Sequence, residues 1–330
     1  MQYRNLGNTS EKLSAIGLGC MGMTHAYGTR DDQESLATLH LALDLGINFW
    51  DTADVYGPRT NEELISQVLV ANRDKVFIAT KFGFPLDQKP GTYQSFNGSP
   101  AYVKEACEGS LKRLGVDTID LYYSHRVDPS VPIEDTVGAM ADLVQEGKVR
   151  YLGLSEASES SIRKAHAIHP ISALQNEYSF ITREAETTAI PLCQELGISF
   201  VPFSPLSRGL FSDASVDISD MGEKDFRKTL PRFKNEEYLK NNQALAKALT
   251  ELAHEKSITT SQLALAWVLA QAPNIIPIPG TKKRKYLQEN ADAVEVVLSD
   301  EDQQRIEELL QQHPDVGNRY DENAMKMVNN

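Results

Sequence analysis

The chain has 330 residues, a formal net charge of −13 and three widely separated cysteines. The acidic balance argues against a nucleic-acid partner, because nucleic-acid-binding proteins carry a basic face. A membrane-spanning helix needs about 20 apolar residues, and no apolar run in the chain approaches that length. An odd number of cysteines without disulfide or metal-ligand spacing, and an N-terminus without an apolar signal region, predict a soluble cytoplasmic protein.

Short apolar segments alternate with amphipathic helical segments along the chain, after a predicted hairpin at 3–14. The predicted strands are 15–20, 48–51, 76–81, 121–125, 151–155, 173–176, 199–203 and 275–278. This order is the one that a (β/α)8 TIM barrel requires. We therefore predict an α/β barrel forming a single domain over 1–330, with a long loop at 207–241 after strand seven and a C-terminal tail over the barrel mouth.

Two of the predicted strands contain a proline, Pro202 in the seventh and Pro277 in the eighth. Proline has no backbone N–H to give to a sheet and is disfavoured inside strands. We therefore expect both strands to be short or irregular.

Four polar side chains fall at or just after the ends of strands two, three and four. Asp51 ends strand two and Tyr56 follows it, while Lys81 and His125 end the next two strands. Because the active site of such a barrel lies at the carboxyl ends of its strands, we expect these side chains to meet on one rim. A phenol has a pKa of about 10, and the cation Lys81 should lower that of Tyr56. Tyr56 would then protonate a substrate oxygen that His125 orients, with Asp51 balancing Lys81.

Each of these residues also has a purely structural interpretation. Asp51 and Lys81 could be an ordinary ion pair, Tyr56 a packed loop aromatic, and His125 a loop histidine with a satisfied hydrogen bond. The four together at adjacent strand ends favour the chemical interpretation.

An ordered series of motifs covers nearly the whole length of the chain. The motifs are Asp51-Thr52-Ala53 with Tyr56-Gly57, Asn61-Glu62, Lys81, Gly109-Ser110-Leu111-Lys112-Arg113-Leu114 with Asp117, Asp120-Leu121-Tyr122 with His125, Gln175-Asn176, Ser204-Pro205-Leu206 and Ile278-Pro279-Gly280-Thr281-Lys282. Through these motifs the chain resembles the aldo-keto reductases. The resemblance implies NADPH-dependent reduction of aldehydes and ketones to alcohols. It also implies that Asp51, Tyr56, Lys81 and His125 form the catalytic tetrad, with Tyr56 as the general acid.

The basic run Lys282-Lys283-Arg284-Lys285 stands at the start of a predicted helix. Helix dipoles favour anions at that end, so these cations indicate a bound anion or else a solvated basic turn. The resemblance places the 2′-phosphate of NADPH/NADP+ there and the nicotinamide carboxamide on Ser155 and Gln175. Glu156 departs from the asparagine that many relatives carry and is not assigned as a ligand. The implied cofactor-binding residues are Gly19, Cys20, Met21, Asp51, Ser155, Gln175, Phe203, Ser204, Leu206, Ser207, Arg208, Gly209, Gly280, Thr281, Lys282, Arg284, Gln288 and Asn290.

The segment from Gly17 to Gly22 also matches the G-x-G-x-x-G pattern of Rossmann folds. That interpretation needs the glycines to open directly into a helix, but residues 23–30 intervene. We favour a first barrel loop in which Gly19, Cys20 and Met21 face the nicotinamide.

Two other functions compete with carbonyl reduction. A metal-assisted lyase would need several histidines and carboxylates at strand ends, and His125 alone offers itself; no metal site is predicted. A cofactor-binding sensor or regulatory subunit with little turnover would be favoured by a weakened tetrad, but all four positions are intact.

The expected partner is a small-molecule carbonyl substrate, bound by the loops around the mouth and by the tail near Tyr320. Aromatic residues in these loops favour an apolar or aromatic aldehyde. They are Tyr27, Phe84, Tyr93, Phe96 and Phe211. The sequence specifies neither the physiological substrate nor the oligomeric state.

Overall fold

The computed structural model describes residues 1–24, 26–85, 95–213, 221–223 and 225–328. Its strands are β1 (Tyr3–Asn5), β2 (Lys12–Ser14), β3 (Leu18–Gly19), β4 (Phe49–Asp51), β5 (Phe77–Phe82), β6 (Ile119–Ser124), β7 (Val149–Ser155), β8 (Ile171–Glu177) and β9 (Ser199–Phe203). Its helices are α1 (Asp32–Asp44), α2 (Thr60–Leu69), α3 (Pro100–Leu114), α4 (Ile133–Gln145), α5 (Glu159–Ile168), α6 (Ala189–Leu196), α7 (Pro231–Lys234), α8 (Glu236–Glu255), α9 (Thr260–Ala270), α10 (Arg284–Asp292), α11 (Asp300–Gln312) and α12 (Glu322–Met325). Short 3₁₀ turns lie at Met21–Met23, Val70–Lys75, Glu184–Glu186, Ser207–Gly209, Phe226–Thr229 and Ala293–Glu295.

Strands β3 to β9 form one parallel sheet in chain order, each strand paired with the next. Helices connect successive strands, as a right-handed parallel arrangement requires. Because all these strands run the same way, their carboxyl ends meet on one rim. The predicted (β/α)8 barrel is confirmed as a single domain.

The eighth position of the barrel is filled by an extended segment, 274–280, instead of a regular strand. Pro277 has no N–H for a ladder, which explains the irregularity. The segment still closes the barrel: the N–H of Ile276 donates to the carbonyl of Phe200 at 2.9 Å, and that of Gly17 to the carbonyl of Pro277 at 2.9 Å. The expectation of an irregular eighth strand is therefore confirmed, whereas β9 keeps its full predicted length despite Pro202.

The predicted first strand, 15–20, is shorter in the structure. Only Leu18–Gly19 pairs as β3, with β4. Ala15 and Ile16 instead pack against Leu265 and Leu269 of α9. Burial against a helix replaces strand pairing for these two residues.

The hairpin of β1 and β2 covers the amino ends of the barrel strands. Its Leu6 and Leu13 pack on the interior side chains of the barrel, which include Phe49, Phe77 and Leu121. This apolar plug closes the barrel interior at the amino end, so the interior can open to ligands at the carboxyl ends, where the active sites of such barrels lie. No helix among the described residues is both long enough and apolar enough to cross a bilayer.

Candidate active site

The four predicted catalytic residues lie on three neighbouring strand ends of the barrel mouth. Asp51 is the last residue of β4, Lys81 is next to the last of β5, and His125 directly follows β6. Tyr56 stands in the loop between β4 and α2. Because β4, β5 and β6 are successive neighbours in the sheet, the structure brings all four together.

Lys81 is the centre of the group. Its side chain is fully buried and pairs with the carboxylate of Asp51. The Lys81 ammonium also donates to the carbonyl of Thr52 at 2.7 Å and to the phenol oxygen of Tyr56 at 3.4 Å. The second carboxylate oxygen of Asp51 accepts the amide N–H of Gln175 at 2.8 Å. These contacts hold the Lys81 ammonium next to the phenol oxygen of Tyr56.

The electrostatics keep the lysine charged and the phenol protonated. Burial works to lower the pKa of Lys81, but the Asp51 carboxylate and the Tyr56 phenol outweigh it, so this pKa is raised. Burial raises the pKa of Tyr56, and the Lys81 ammonium offsets only part of that rise. Lys81 thus lowers the pKa of Tyr56, as expected, but the net pKa stays above its ordinary value, because removing the phenolate from water costs more than the nearby cation returns.

His125 completes the group as a neutral imidazole. Burial, then the charges of Lys81 and Arg126, hold its pKa well below the ordinary value. The ring meets Tyr56 edge to face at 5.9 Å and Phe84 at 4.9 Å between ring centroids. Its buried Nδ1 has no hydrogen-bond partner among the described residues. The imidazole is thus packed in place while keeping hydrogen-bonding capacity.

An apolar wall stands beside the phenol. Ala53, Val55 and Phe84 are buried together, with Tyr56 and Phe96 packed on them. The rings of Phe84 and Phe96 meet edge to face at 5.3 Å. Two of the predicted substrate-facing aromatics therefore lie next to Tyr56.

The other predicted aromatics behave differently. Phe211 is fully buried and packs edge to face on Phe180, so it is a core residue and not a substrate contact. The hydroxyl of Tyr27 accepts a hydrogen bond from Arg208 at 2.8 Å. Tyr93 lies outside the described residues.

The residues predicted to bind the nicotinamide lie at the ends of the next strands. Ser155 ends β7 and stands in register with Gln175 of β8. The Ser155 hydroxyl accepts from Arg126 at 3.3 Å, and Gln175 donates to Asp51. Phe203, which is partly buried, ends β9. The bond between Gln175 and Asp51 links the predicted nicotinamide site to the tetrad.

The loop after β9 has an unusual backbone. Ser204, Ser207 and Arg208 have positive φ angles of 52°, 47° and 60°, and Gly209 has 94°. Left-handed backbone costs free energy for residues other than glycine, and it concentrates at functional sites. Leu206 is partly buried between these residues. The strain falls on residues that the resemblance assigns to cofactor binding.

Arg208 is the cation of this loop, and its side chain is largely buried. Its guanidinium donates to the hydroxyl of Tyr27 at 2.8 Å, and to Glu177 and the hydroxyl of Tyr320 at 3.3 Å each. It therefore connects the first barrel loop, β8 and the C-terminal tail.

The first barrel loop and the eighth segment approach each other very closely. Gly19 and Gly280 form a parallel bridge, and a Cβ atom on Gly19 would lie 2.7 Å from the carbonyl oxygen of Ile278. The Cys20 side chain is fully buried in the core, and burial raises the pKa of its thiol. Met21 begins the following 3₁₀ turn. Any contact of Cys20 with a ligand in the mouth must therefore come from its backbone.

The predicted phosphate cations have protein partners in the structure. The Lys282 ammonium donates to the carbonyls of Tyr27 and Thr29 at 2.8 and 2.6 Å. Arg284 at the start of α10 pairs with Glu34 of α1 at 3.0 Å, and its side chain is 58% exposed. Both cations sit where α10 begins, beside the first barrel loop.

The remaining predicted residues of this region surround the same helix start. The Thr281 hydroxyl accepts the backbone N–H of Lys283 at 3.1 Å. Gln288 donates to Asp292 at 2.8 Å along α10, and Asn290 is buried on the inner side of that helix. Gln288 therefore faces outward and Asn290 inward.

Sequence reasoning missed a buried group of charges over the mouth. Glu156 pairs with Arg319, and Glu177 pairs with Arg232 and Arg208; all of these side chains are largely buried. The departure at Glu156 was the one local signal. Its partner Arg319 lies 163 residues away along the chain, so no motif spacing could have paired them.

Metal-binding side chains are not clustered in the part of the chain that the structure describes. There, no group of three or more His, Cys, Asp or Glu side chains is placed to hold a metal ion. The described strand ends thus offer no ligand set for the metal-assisted lyase alternative.

Comparison with known proteins agrees with this geometry. The sequence model of the Aldo/keto reductase family matches residues 15–311. The chain belongs to this family. It is 47% identical over 322 residues to "Probable aldo-keto reductase 1" of Glycine max, covering 97% of this chain and 92% of that protein.

Two solved structures extend the comparison to the fold. The glycerol dehydrogenase from Gluconobacter oxydans has a TM-score of 0.86 and 27% identity, covering 97% of this chain and 98% of that one. The holo form of an aldo-keto reductase from Bacillus halodurans has a TM-score of 0.77 and 30% identity, covering 94% and 96%. Family membership supports an oxidoreductase that acts on small carbonyl compounds with a nicotinamide cofactor.

Proposed function

We propose that this aldo/keto reductase is a cytoplasmic enzyme that uses NADPH to reduce aldehydes or ketones to alcohols, with Tyr56 as the general acid. The observation that carries the proposal is the position of the Lys81 ammonium, which bridges the Asp51 carboxylate and the Tyr56 phenol beside a neutral His125. Those groups match what proton delivery to a carbonyl oxygen requires.

The proton moves from the Tyr56 hydroxyl to the substrate oxygen. The phenolate that remains is stabilised by Lys81, whose own charge is held by Asp51. This makes the low acidity of the resting phenol compatible with catalysis, because the cation acts on charge that develops during the reaction. His125 donates a hydrogen bond to the same oxygen and fixes its orientation, and the wall of Phe84 and Phe96 suits an apolar or aromatic aldehyde.

The residues present fit a dinucleotide. The hydroxyl of Ser155 and the amide of Gln175 suit the nicotinamide carboxamide. The strained loop from Ser204 to Gly209 offers backbone and hydroxyl donors for the pyrophosphate. Lys282 and Arg284 offer positive charge for the 2′-phosphate at the start of α10. When bound, the reduced nicotinamide supplies a hydride to the carbonyl carbon.

The alternative is a cofactor-binding sensor with little turnover. The test follows NADPH oxidation with a panel of aromatic and aliphatic aldehydes, alongside NADPH binding measured by fluorescence. Oxidation that depends on the aldehyde supports the enzyme. Tight NADPH binding without turnover of any carbonyl compound would favour the sensor and overturn the proposal.

The 2′-phosphate assignment has its own test. Replacing Lys282 and Arg284 with glutamine should weaken NADPH binding far more than NADH binding, because only NADPH carries the phosphate. Lys247→Gln on the exposed face of α8 is the matched control for loss of positive charge. Equal losses for both cofactors would refute the assignment.

A further inference from the structure

A buried ion pair joins the C-terminal tail to the end of strand β7. Arg319 donates through both terminal nitrogens to the two carboxylate oxygens of Glu156, at 2.7 Å each. The side chains are only 11% and 1% exposed. Among the described residues the Nε of Arg319 is buried without a partner. Because burying charges and orphan donors costs free energy, such a pair is weak evidence of a purely stabilising role.

Glu156 stands between the two residues proposed to hold the nicotinamide. It directly follows Ser155 in a left-handed conformation with φ of 53°. Its backbone N–H donates to the carbonyl of Gln175 at 3.1 Å and to the side-chain oxygen of Asn176 at 2.9 Å. Its carboxylate accepts the N–H of Glu177 at 2.9 Å. Glu156 thereby fixes the end of β7 against the end of β8.

The tail reaches Glu156 along a fixed course. Arg232 of α7 donates to the carbonyl of Gly317 at 3.0 Å, and Asn242 of α8 to that of Val316 at 3.1 Å. Gly317 has φ of 72°, and a Cβ atom there would lie 2.6 Å from the ring of Tyr238. The chain therefore passes close to α8 just before it delivers Arg319 to the mouth.

We propose that Arg319 is a positioning residue for the nicotinamide end of the cofactor site. It acts through Glu156: the guanidinium neutralises and orients the carboxylate, and the carboxylate holds the ends of β7 and β8 at the spacing that Ser155 and Gln175 need. Docking of the tail is thus coupled to cofactor binding. This inference rests on the proposed function, which assigns Ser155 and Gln175 to the nicotinamide.

The test separates the two ends of the cofactor. Dissociation constants are measured for NADPH and for adenosine 2′,5′-bisphosphate, which has the phosphorylated adenosine but no nicotinamide. The variants are Arg319→Met, Glu156→Gln and the double variant. Arg163→Met is the matched control, because Arg163 pairs with Glu195 in the same bidentate geometry at 2.7 Å between the outer helices α5 and α6, with side chains 42% and 55% exposed.

Arg319→Met should raise the dissociation constant for NADPH about tenfold or more, because Glu156 is left buried and unpaired. The dissociation constant for the bisphosphate should stay within about twofold of the wild-type value, a much smaller change than the one expected for NADPH. The double variant should bind NADPH more tightly than Arg319→Met, because it has no uncompensated carboxylate. Arg163→Met should change neither constant.

Two results would overturn the inference. One is a parallel loss of both ligands in Arg319→Met, which would indicate a general structural role. The other is wild-type NADPH binding in Arg319→Met. A wild-type protein that binds the bisphosphate but not NADPH would instead contradict the proposed function, so the two failures are distinguishable.

Discussion

The two ends of the barrel each contain a buried aspartate that holds a cation, yet they are built differently. At the amino end, Asp120 of β6 forms an ion pair with Arg73 at 2.9 Å and accepts hydrogen bonds from Arg150 and from the N–H of Ile78, both at 2.8 Å. At the mouth, Asp51 of β4 holds Lys81. Arg73 and Arg150 are 31% and 43% exposed, whereas Lys81 is fully buried.

Under the proposed function, the same residue type serves stability at one end and reactivity at the other. The arginines at the amino end are partly exposed and keep much of their hydration. Arg73 also donates hydrogen bonds to the carbonyls of Val76 and Thr118, at 2.8 Å each. The Lys81 side chain is fully buried, and its ammonium also contacts a titratable phenol. Burying a charge next to a phenol costs free energy of folding, so stability alone does not favour this arrangement. Acid catalysis by the phenol does need such a cation.

The largest effect should come from removing the proton donor at the mouth. Tyr56→Phe should lower kcat/KM for aldehyde reduction about 10²- to 10⁴-fold, the contribution typical of a positioned general acid. NADPH affinity and the melting temperature should stay near those of the wild type, because the substitution removes only a hydroxyl. Steady-state kinetics and thermal unfolding check both parts; normal turnover would show that another group is the acid.

Removing the buried cation should damage both stability and activity. Lys81→Met leaves Asp51 buried and unpaired, which should lower the free energy of unfolding by about 3–5 kcal/mol and lower turnover by no more than Tyr56→Phe does. The double variant Asp51→Asn/Lys81→Met should regain part of the stability and none of the lost activity. Urea unfolding compared with kinetics measures this split, and recovery of activity in the double variant would contradict the role of Lys81.

The amino end should show the opposite pattern. Asp120→Asn should lower the free energy of unfolding by about 1–3 kcal/mol through lost charge-assisted hydrogen bonds, a smaller cost because both arginines remain partly hydrated. Its kcat/KM should stay within about twofold of wild type, a change too small to reflect lost transition-state contacts. A large loss of activity would mean that the two ends are not independent.

The smallest effect concerns pH. The pKa of His125 is held well below the ordinary value by burial and by the charges of Lys81 and Arg126. An unfolded chain, with a histidine pKa of about 6.5, binds more protons below that pH than the native chain does. Stability is therefore fully present above about pH 6.5 and declines as the pH falls.

The comparison of wild type with His125→Gln isolates this contribution. Between roughly pH 7.5 and pH 5.5, the wild type should lose about 1 kcal/mol more free energy of unfolding than the variant. The subtraction also removes the contribution of His166, whose pKa burial lowers as well. Equal pH dependence in both proteins would show that His125 takes up a proton freely in the native state.

The sequence predicted most of this arrangement because its signals are local. Strand ends and short motifs predict where Asp51, Tyr56, Lys81 and His125 lie. The alternation of predicted strands and helices along the chain predicts the barrel. Other features depend on contacts between distant residues: the bond from Gln175 to Asp51 spans 124 positions. The net rise of the Tyr56 pKa was not predicted for a related reason, since it depends on burial that no motif encodes.

The most direct test of the account follows the hydrogen itself. Wild-type protein is incubated with an aromatic aldehyde and NADPH deuterated at the reactive nicotinamide carbon, and the product alcohol is analysed by mass spectrometry and NMR. We predict deuterium at the former carbonyl carbon, with transfer reduced in Tyr56→Phe to the extent that its turnover falls. Deuterium that never reaches the alcohol, from a protein that demonstrably binds NADPH, would contradict the account.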